Sequence, residues 1–434
     1  MSPVLAGIAG IVLLLVLFLI RMPVAFAMAF VGVVGFAYLT DPGPALSLLA
    51  QDIFEQFSSY PLTVIPMFIL MGTFAFASGI SRRLYDTSYT WVGQLRGGLT
   101  MATVLACAGF AAICGSTAAT AATMGKIALP EMKKYNYDGT LATGTIAASG
   151  TLGILIPPST ILIVYGILTE ESIGKLFIAG VLPGVLLSVA FVVTVGVLCM
   201  RNPAIGPPGA PTTWKAKFRA LTGIIPATLL FLLAIGGLFL GWFSPTQAGA
   251  IGAGGALVIG LARRQLSWGT FIEAGKEGLR TSCMVIFIIT GAVIFGHFMA
   301  VSTIPFRLAD WLGELAIHRM AVMAVIVFIY FIGGFFMDSM ALVVVTIPIF
   351  FPVVMELGFD PIWFGVIIVL VAEMGVITPP VGVNVFIIKG IAPDVPLETI
   401  FKGILPFLVA LIIVTIILIA FPQIATLLPS FITY

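Results

Sequence analysis

Two carboxylates stand inside apolar sequence. Asp338 lies in FFMDSMAL (335–342) and Glu373 in VAEMGVI (371–377). A carboxylate at membrane depth is costly and marks ion or substrate handling by default. The plainer readings are an interfacial position for Asp338, and a backbone pairing or a cytoplasm-connected cavity for Glu373. Small hydroxylated residues accompany them: Ser116 and Thr117 in CGSTAATAAT (114–123), and Ser339 beside Asp338. Such residues supply hydroxyl and main-chain oxygens, although close helix packing uses them too. Two proline pairs complete the set, in GTLGILIPPST (150–160) and MGVITPPVGVN (374–384). Proline removes a backbone donor and clashes with the preceding helical turn. A helix broken inside a bilayer frees carbonyls on one side and exposes a half-helix N-terminus on the other. Carbonyls suit a hard cation such as Na⁺, and the positive helix end suits a carboxylate. The plainer reading is a kink repaired by Ser or Thr neighbours.

The elements that must carry these groups are membrane helices. The 434 residues are 60% hydrophobic and 9% charged, and apolar stretches recur from end to end. Each is long enough to cross a bilayer, which takes about 20 residues. The expected fold class is therefore an all-α polytopic membrane protein. A net charge of +2 leaves no nucleic-acid footprint. Cys107, Cys114, Cys199 and Cys283 are scattered, and two histidines are too few for a His-based metal cluster. Residues 1–20 read as a retained first span, not a signal peptide. Gly125-Lys126 and Gly174-Lys175 lack the Ser or Thr of a P-loop, so no nucleotide engine is visible.

Candidate spans are 3–20, 23–39, 60–79, 138–168, 176–200, 221–241, 246–262, 281–300, 361–391 and 403–425. The stretches 97–135 and 319–357 carry small or polar centres and flanking charges at matching ends. Two crossings and a turn barely fit in either, so re-entrant hairpins are expected. Residues 81–96 and 263–280 mix charged and apolar residues and read as interfacial amphipathic helices or, more plainly, as ordinary loops. Lys126 is expected to snorkel to the cytoplasmic interface. The segment 201–219, rich in Pro and Gly, reads as a linker between halves 1–200 and 220–434. Basic residues favour the cytoplasm. They place the linker inside and both termini outside, with Arg307 and Arg319 against the rule.

The halves repeat. GILIPPST at 153 recurs as GVITPPVG at 375, an offset of 222 that also pairs Pro130 with Pro352 and Asp138 with Asp360. At offset 223, Gly180, Leu182 and Pro183 match Gly403, Leu405 and Pro406. An odd number of crossings per half makes the copies inverted. Broken helices at corresponding places of two such halves point to a binding site near midplane.

RMPVAFAMAFVGV (21–33), CGSTAATAATMGKIALPEMKKYNYD (114–138), GTLGILIPPS (150–159) and MGVITPPVGVN (374–384) resemble the large membrane (permease) subunit of TRAP transporters, the tripartite ATP-independent periplasmic transporters of DctM or SiaM type. The resemblance covers nearly the whole chain; Lys126 departs from it, standing where an apolar residue is usual. It implies an elevator-type secondary transporter of the inner membrane, multi-pass and sodium-coupled. Its substrate would be a small organic acid such as a C4-dicarboxylate or sialic acid. It implies no cofactor beyond Na⁺ as coupling ion. The implied partners are a small four-helix membrane subunit, a periplasmic substrate-binding protein and the lipid bilayer. One implied sodium site involves Ser116, Gly150, Gly153 and Pro157. The other involves Asp338, Ser339, Gly375, Thr378 and Pro379. Substrate would sit between Thr117, Ser159, Ser339 and Asn384. The rival readings are an intramembrane aspartyl peptidase using Asp338 and Glu373, for which the proline pairs have no role, and a passive anion channel, which would show no coupling to a sodium gradient.

Overall fold

A computed structural model describes residues 2–314, 318–380 and 382–432. The chain opens with apolar helices α1 (Pro3–Leu19) and α2 (Val24–Leu39). Next comes α3 (Pro42–Ser58), between the expected spans 23–39 and 60–79. Pro42 at its first turn is pre-set for a helix start. At a bend of 55° it passes into the apolar helix that contains α4 (Val64–Ala77). The expected arm at 81–96 is α5 (Ile80–Val92).

The first expected hairpin is α6 (Gly98–Cys114) and α7 (Thr117–Lys134). The first broken helix is α8 (Gly139–Ser149), one turn α9 (Leu152–Leu155) and α10 (Thr160–Thr169). It breaks twice, at Gly150-Thr151 and at Ile156–Ser159, where the sequence suggested one break. The long α11 (Ile173–Arg201) packs over it; a Cβ on Gly180 would stand 2.5 Å from the Leu155 carbonyl oxygen. The linker runs back along the hairpin base, with Gly97 N donating to Gly206 O and Gly209 N to Gly93 O, both at 2.8 Å.

The linker ends in α12 (Trp214–Ala220), and the second half begins with α13 (Ile225–Phe231) and α14 (Gly237–Phe239). Stretch 221–241 is thus not one straight helix. A π-helical turn at Leu232–Gly236 interrupts it, and it bends 50° from the segment before. Then come α15 (Pro245–Ala262) and α16 (Trp268–Ser302). Here the expectation of a separate interfacial helix at 263–280 is corrected. Most of that stretch is the N-terminal half of one 35-residue helix continuous with the span at 281–300. Gly32 permits its approach to α2, since a Cβ there would lie 2.8 Å from Ile294 O.

After α17 (Ile304–Glu314) come the second hairpin, α18 (Arg319–Gly333) and α19 (Ser339–Glu356), and the second broken helix, α20 (Pro361–Ile377) and α21 (Val383–Ile391). The chain ends with α22 (Leu397–Ala420) and α23 (Gln423–Thr426). Asp138 and Asp360, paired by the repeat, both cap the helices that follow them. Pro157–Pro158 and Pro379–Pro380 are both cis peptide bonds.

The broken helices pass each other in opposite directions. Tyr165, near the end of α10, donates from its hydroxyl to Pro361 O at the start of α20, at 2.6 Å. At the other end, Lys133 Nζ, in the last turn of α7 and six residues before α8 begins at Gly139, meets Asp394 Oδ2 just past α21 at 2.7 Å. Gly144 on α8 and Gly403 on α22 let those helices touch backbone to backbone.

Candidate functional site

The first hairpin can turn because Gly115 takes φ +64°, a conformation glycine adopts without steric cost. Its carbonyl accepts from Thr160 Oγ1 at 3.1 Å. Helix α7 then starts under Ser116, whose Oγ accepts from Ala119 N at 3.4 Å. At the second tip, Asp338 caps α19 and its Oδ2 accepts from Met340 N at 3.1 Å. The offset of 222 thus pairs two N-caps, Ser116 and Asp338. It likewise pairs two first helical residues, Thr117 and Ser339.

Both first residues donate to one acceptor. Thr117 Oγ1 bonds Glu373 Oε2 at 2.8 Å, and Ser339 Oγ bonds Glu373 Oε1 at 2.8 Å. The three are 4%, 1% and 1% exposed, so the carboxylate is solvated by protein alone. Two hydroxyls and two converging helix N-termini make this an anion-holding place.

Glycines bring the tips onto the breaks. A Cβ on Gly153 would stand 2.5 Å from Ser116 O and 2.7 Å from Thr120 Oγ1. On Gly150 it would stand 2.9 Å from Asn384 Nδ2. Asn384 Nδ2 donates to Ala147 O at 3.0 Å, tying α21 to α8. Its Oδ1, Thr120 Oγ1 and Ser149 Oγ are buried without a hydrogen-bond partner. Unpaired buried oxygens cost about 1–3 kcal/mol each, and they gather where freed carbonyls were expected.

A cavity of about 1210 Å³ adjoins the tips. Ser116, Thr117, Asp338, Glu373 and Asn384 line it near the tips; Lys126 and, near the start of α16, Glu273 line it further along. The other expected residues lie behind this surface. Ser339 is buried under Glu373. Ser159 is fully buried and caps α10, accepting from Leu162 N at 3.2 Å. Pro157 is buried against Gly180 of α11. Thr378 donates back to Met374 O. Gly375 faces Gly334. Pro379 is exposed, unlike its buried mate Pro157. The central placement of Glu373 was only half visible in the sequence. Its repeat mate is Thr151, whose hydroxyl donates back to Ala148 O in the last turn of α8, at 2.7 Å. An acidic residue where the other copy has a plain threonine is the signal that was there to use.

Residues 11–424 match the family described as the tripartite ATP-independent periplasmic transporter, DctM component. The C4-dicarboxylate TRAP transporter large permease protein DctM of Pseudomonas aeruginosa is 38% identical over 88% of this chain and 89% of its own. The sialic acid TRAP transporter large permease protein SiaM of Vibrio cholerae is 32% identical over 94% and 95%. The isethionate TRAP transporter permease protein DctMQ of Oleidesulfovibrio alaskensis is longer; at 34% identity the match covers 86% of this chain and 58% of that one. In fold, the chain is similar to the YdaH transporter of Alcanivorax borkumensis, with a TM-score of 0.66 at 17% identity, covering 91% and 90% of the two chains. The chain belongs to the DctM component family of the tripartite ATP-independent periplasmic transporters, as a multi-pass membrane permease and not an enzyme.

Proposed function

We propose that the chain carries a small organic acid inward across the inner membrane, coupled to sodium. On this reading a periplasmic binding protein delivers the substrate, and a small membrane subunit braces the static helices. The observation that carries the proposal is the meeting of both hairpin tips and both helix breaks beside one cavity, with two helix N-termini converging on a carboxylate. C4-dicarboxylate and sialic acid are the substrates named for the two relatives matched along most of their length. The DctMQ name of the longer relative fits the requirement for a small partner.

Two coupling-ion sites follow from the two tips. The first takes Ser116 and the main chain at Gly150, Gly153 and Pro157. The unpaired Thr120 Oγ1 and Asn384 Oδ1 support an oxygen-seeking hard cation there. The second takes Asp338, Ser339, Gly375, Thr378 and Pro379. Substrate binds among Thr117, Ser159, Ser339 and Asn384. Hairpins and broken helices move together as an elevator against α2, α4 and α16, which form the far wall of the cavity. The antiparallel broken helices support inverted halves, 1–200 and 220–434, joined by the linker 201–219. A channel would leave no reason for buried tips held by glycine contacts at both breaks. Flux into proteoliposomes holding this chain and its small partner, with the binding protein supplied outside, tests the reading. Accumulation of succinate or sialic acid that follows an imposed sodium gradient supports it, and equilibration without coupling rejects it.

A further inference from the structure

Thr117 and Ser339 are the natural donors for a substrate carboxylate, and both are already engaged. Each hydroxyl has one proton, and each gives it to Glu373. A second carboxylate cannot accept from either hydroxyl while Glu373 holds it. Glu373 reaches its place from α20, so the bridge joins three elements: α7, α19 and α20. Each carboxylate oxygen serves a different hairpin, so neither hairpin tip can withdraw without losing a charge-assisted hydrogen bond. The repeat supplies no second bridge, because Thr151 turns its hydroxyl to Ala148 O.

We propose that Glu373 is a displaceable latch: in the substrate-free protein it stands in for the substrate carboxylate and ties the two hairpin tips together, and substrate takes over the hydroxyls of Thr117 and Ser339. This rests on the carboxylate reading given above and adds the order of events. The tips are held from within before binding and through the ligand after it. Glu373 is then a positioning residue for the empty state and a competitor for the loaded one. Carboxylate for carboxylate, the exchange keeps both hydroxyls paired throughout, and no buried donor is stranded. The released Glu373 lines the cavity, where water or a coupling cation can receive it.

The test uses the full chain in nanodiscs with sodium and no substrate, read by hydrogen–deuterium exchange. Glu373→Ala is expected to raise amide exchange about fivefold or more in both tip peptides, 115–119 and 335–341, because a hydrogen bond to each tip is lost; Glu373→Gln, whose amide keeps one accepting oxygen, is expected to raise it less. Exchange in α8 and α22 stays unchanged. Thr117→Val raises the first tip more than the second. Unchanged protection at either tip in Glu373→Ala overturns the latch, and so does a rise spread through the whole helical core, which marks simple loss of packing. The displacement is read separately, by succinate uptake in proteoliposomes. Glu373→Gln is expected to lower the half-saturating concentration at least threefold while slowing the maximal rate. A raised half-saturation overturns the competition. If the wild-type chain, with its small partner and the binding protein present, takes up neither succinate nor sialic acid, the carboxylate reading fails, while the exchange experiment still decides the latch.

Discussion

Gly334 and Gly375 meet backbone to backbone: a Cβ built on Gly375 would fall inside the van der Waals radius of the Gly334 main chain. Gly334 ends α18 at the second hairpin tip, and Gly375 lies just before the second break. No rotamer change relieves a clash with backbone. Gly375→Ala must therefore push the hairpin off α20, at about 1–3 kcal/mol, as for other overpacked sites. Uptake should fall at least tenfold while the protein still inserts and purifies. Thermal unfolding in detergent and transport rate, measured together, check this. Wild-type rates in Gly375→Ala would show that the tip does not need this contact.

Asp338 does two jobs in the proposed scheme, and they separate by substitution. As N-cap it accepts from Met340 N; as a cavity-lining carboxylate it ligates a cation. Ser retains the cap but not the charge, whereas Ala loses both, at about 1 kcal/mol for the cap. Asp338→Ser should keep near-wild-type stability yet raise the sodium concentration for half-maximal uptake at least tenfold. Asp338→Ala should add instability to the same sodium defect. Wild-type sodium dependence in Asp338→Ser would remove Asp338 from the cation site.

These two residues show what a sequence can disclose. Hairpin limits of 97–135 and 319–357 anticipated α6–α7 and α18–α19 to within a residue or so, because charges flank a polar centre in an apolar run. Asp338 and Ser339 could be aligned with Ser116 and Thr117 by offset alone. The role of Glu373 could not, because its partners lie 256 and 34 positions away and only folding brings them together. Helix α3 was hidden because Asp52 and Glu55 interrupt the apolar run that would mark a span. Asp52 is in fact buried, 3.2 Å from His297 Nε2 on α16. The start of α16 was hidden because Glu273, Lys276, Glu277 and Arg280 looked interfacial. In the fold Glu273 and Glu277 face the cavity. Local pattern registers polarity; it cannot tell a side chain on the outer surface from one that lines a cavity.

The inverted threading predicts which faces cysteine probes reach. Ala210, exposed in the linker, is expected in the cytoplasm, and exposed Ser430 in the periplasm. With Cys283, the exposed native cysteine, replaced by Ser, the variants Ala210→Cys and Ser430→Cys should label from opposite sides. The contact of Lys133 with Asp394 makes the same demand, since both must then lie on the cytoplasmic face. Labelling of Ser430→Cys from the cytoplasm alone would overturn the threading.

Coupling stoichiometry can be read from voltage. Two hairpin tips meeting two breaks make two cation sites the natural number. Two Na⁺ entering with a monoanion move one net positive charge inward; with a dianion they move none. An inside-negative potential of 100 mV would then contribute about 2.3 kcal/mol to uptake of a monoanion such as sialate. That corresponds to roughly fifty-fold accumulation from voltage alone, since about 1.4 kcal/mol is tenfold. Succinate uptake through the same two sites should be indifferent to voltage, and a third Na⁺ would restore the dependence. The measurement is uptake into proteoliposomes at fixed sodium gradient with a potassium diffusion potential imposed, with and without the binding protein. Accumulation in the absence of sodium would reject the coupling, and undiminished uptake without the binding protein would reject the delivery step. Glu373 sharpens the reading: if the latch takes up a periplasmic proton when substrate displaces it and releases it inside, the charge moved will exceed that of sodium and substrate together by one. Repeating the series in Glu373→Gln, where no such proton can bind, isolates the net charge carried by sodium and substrate.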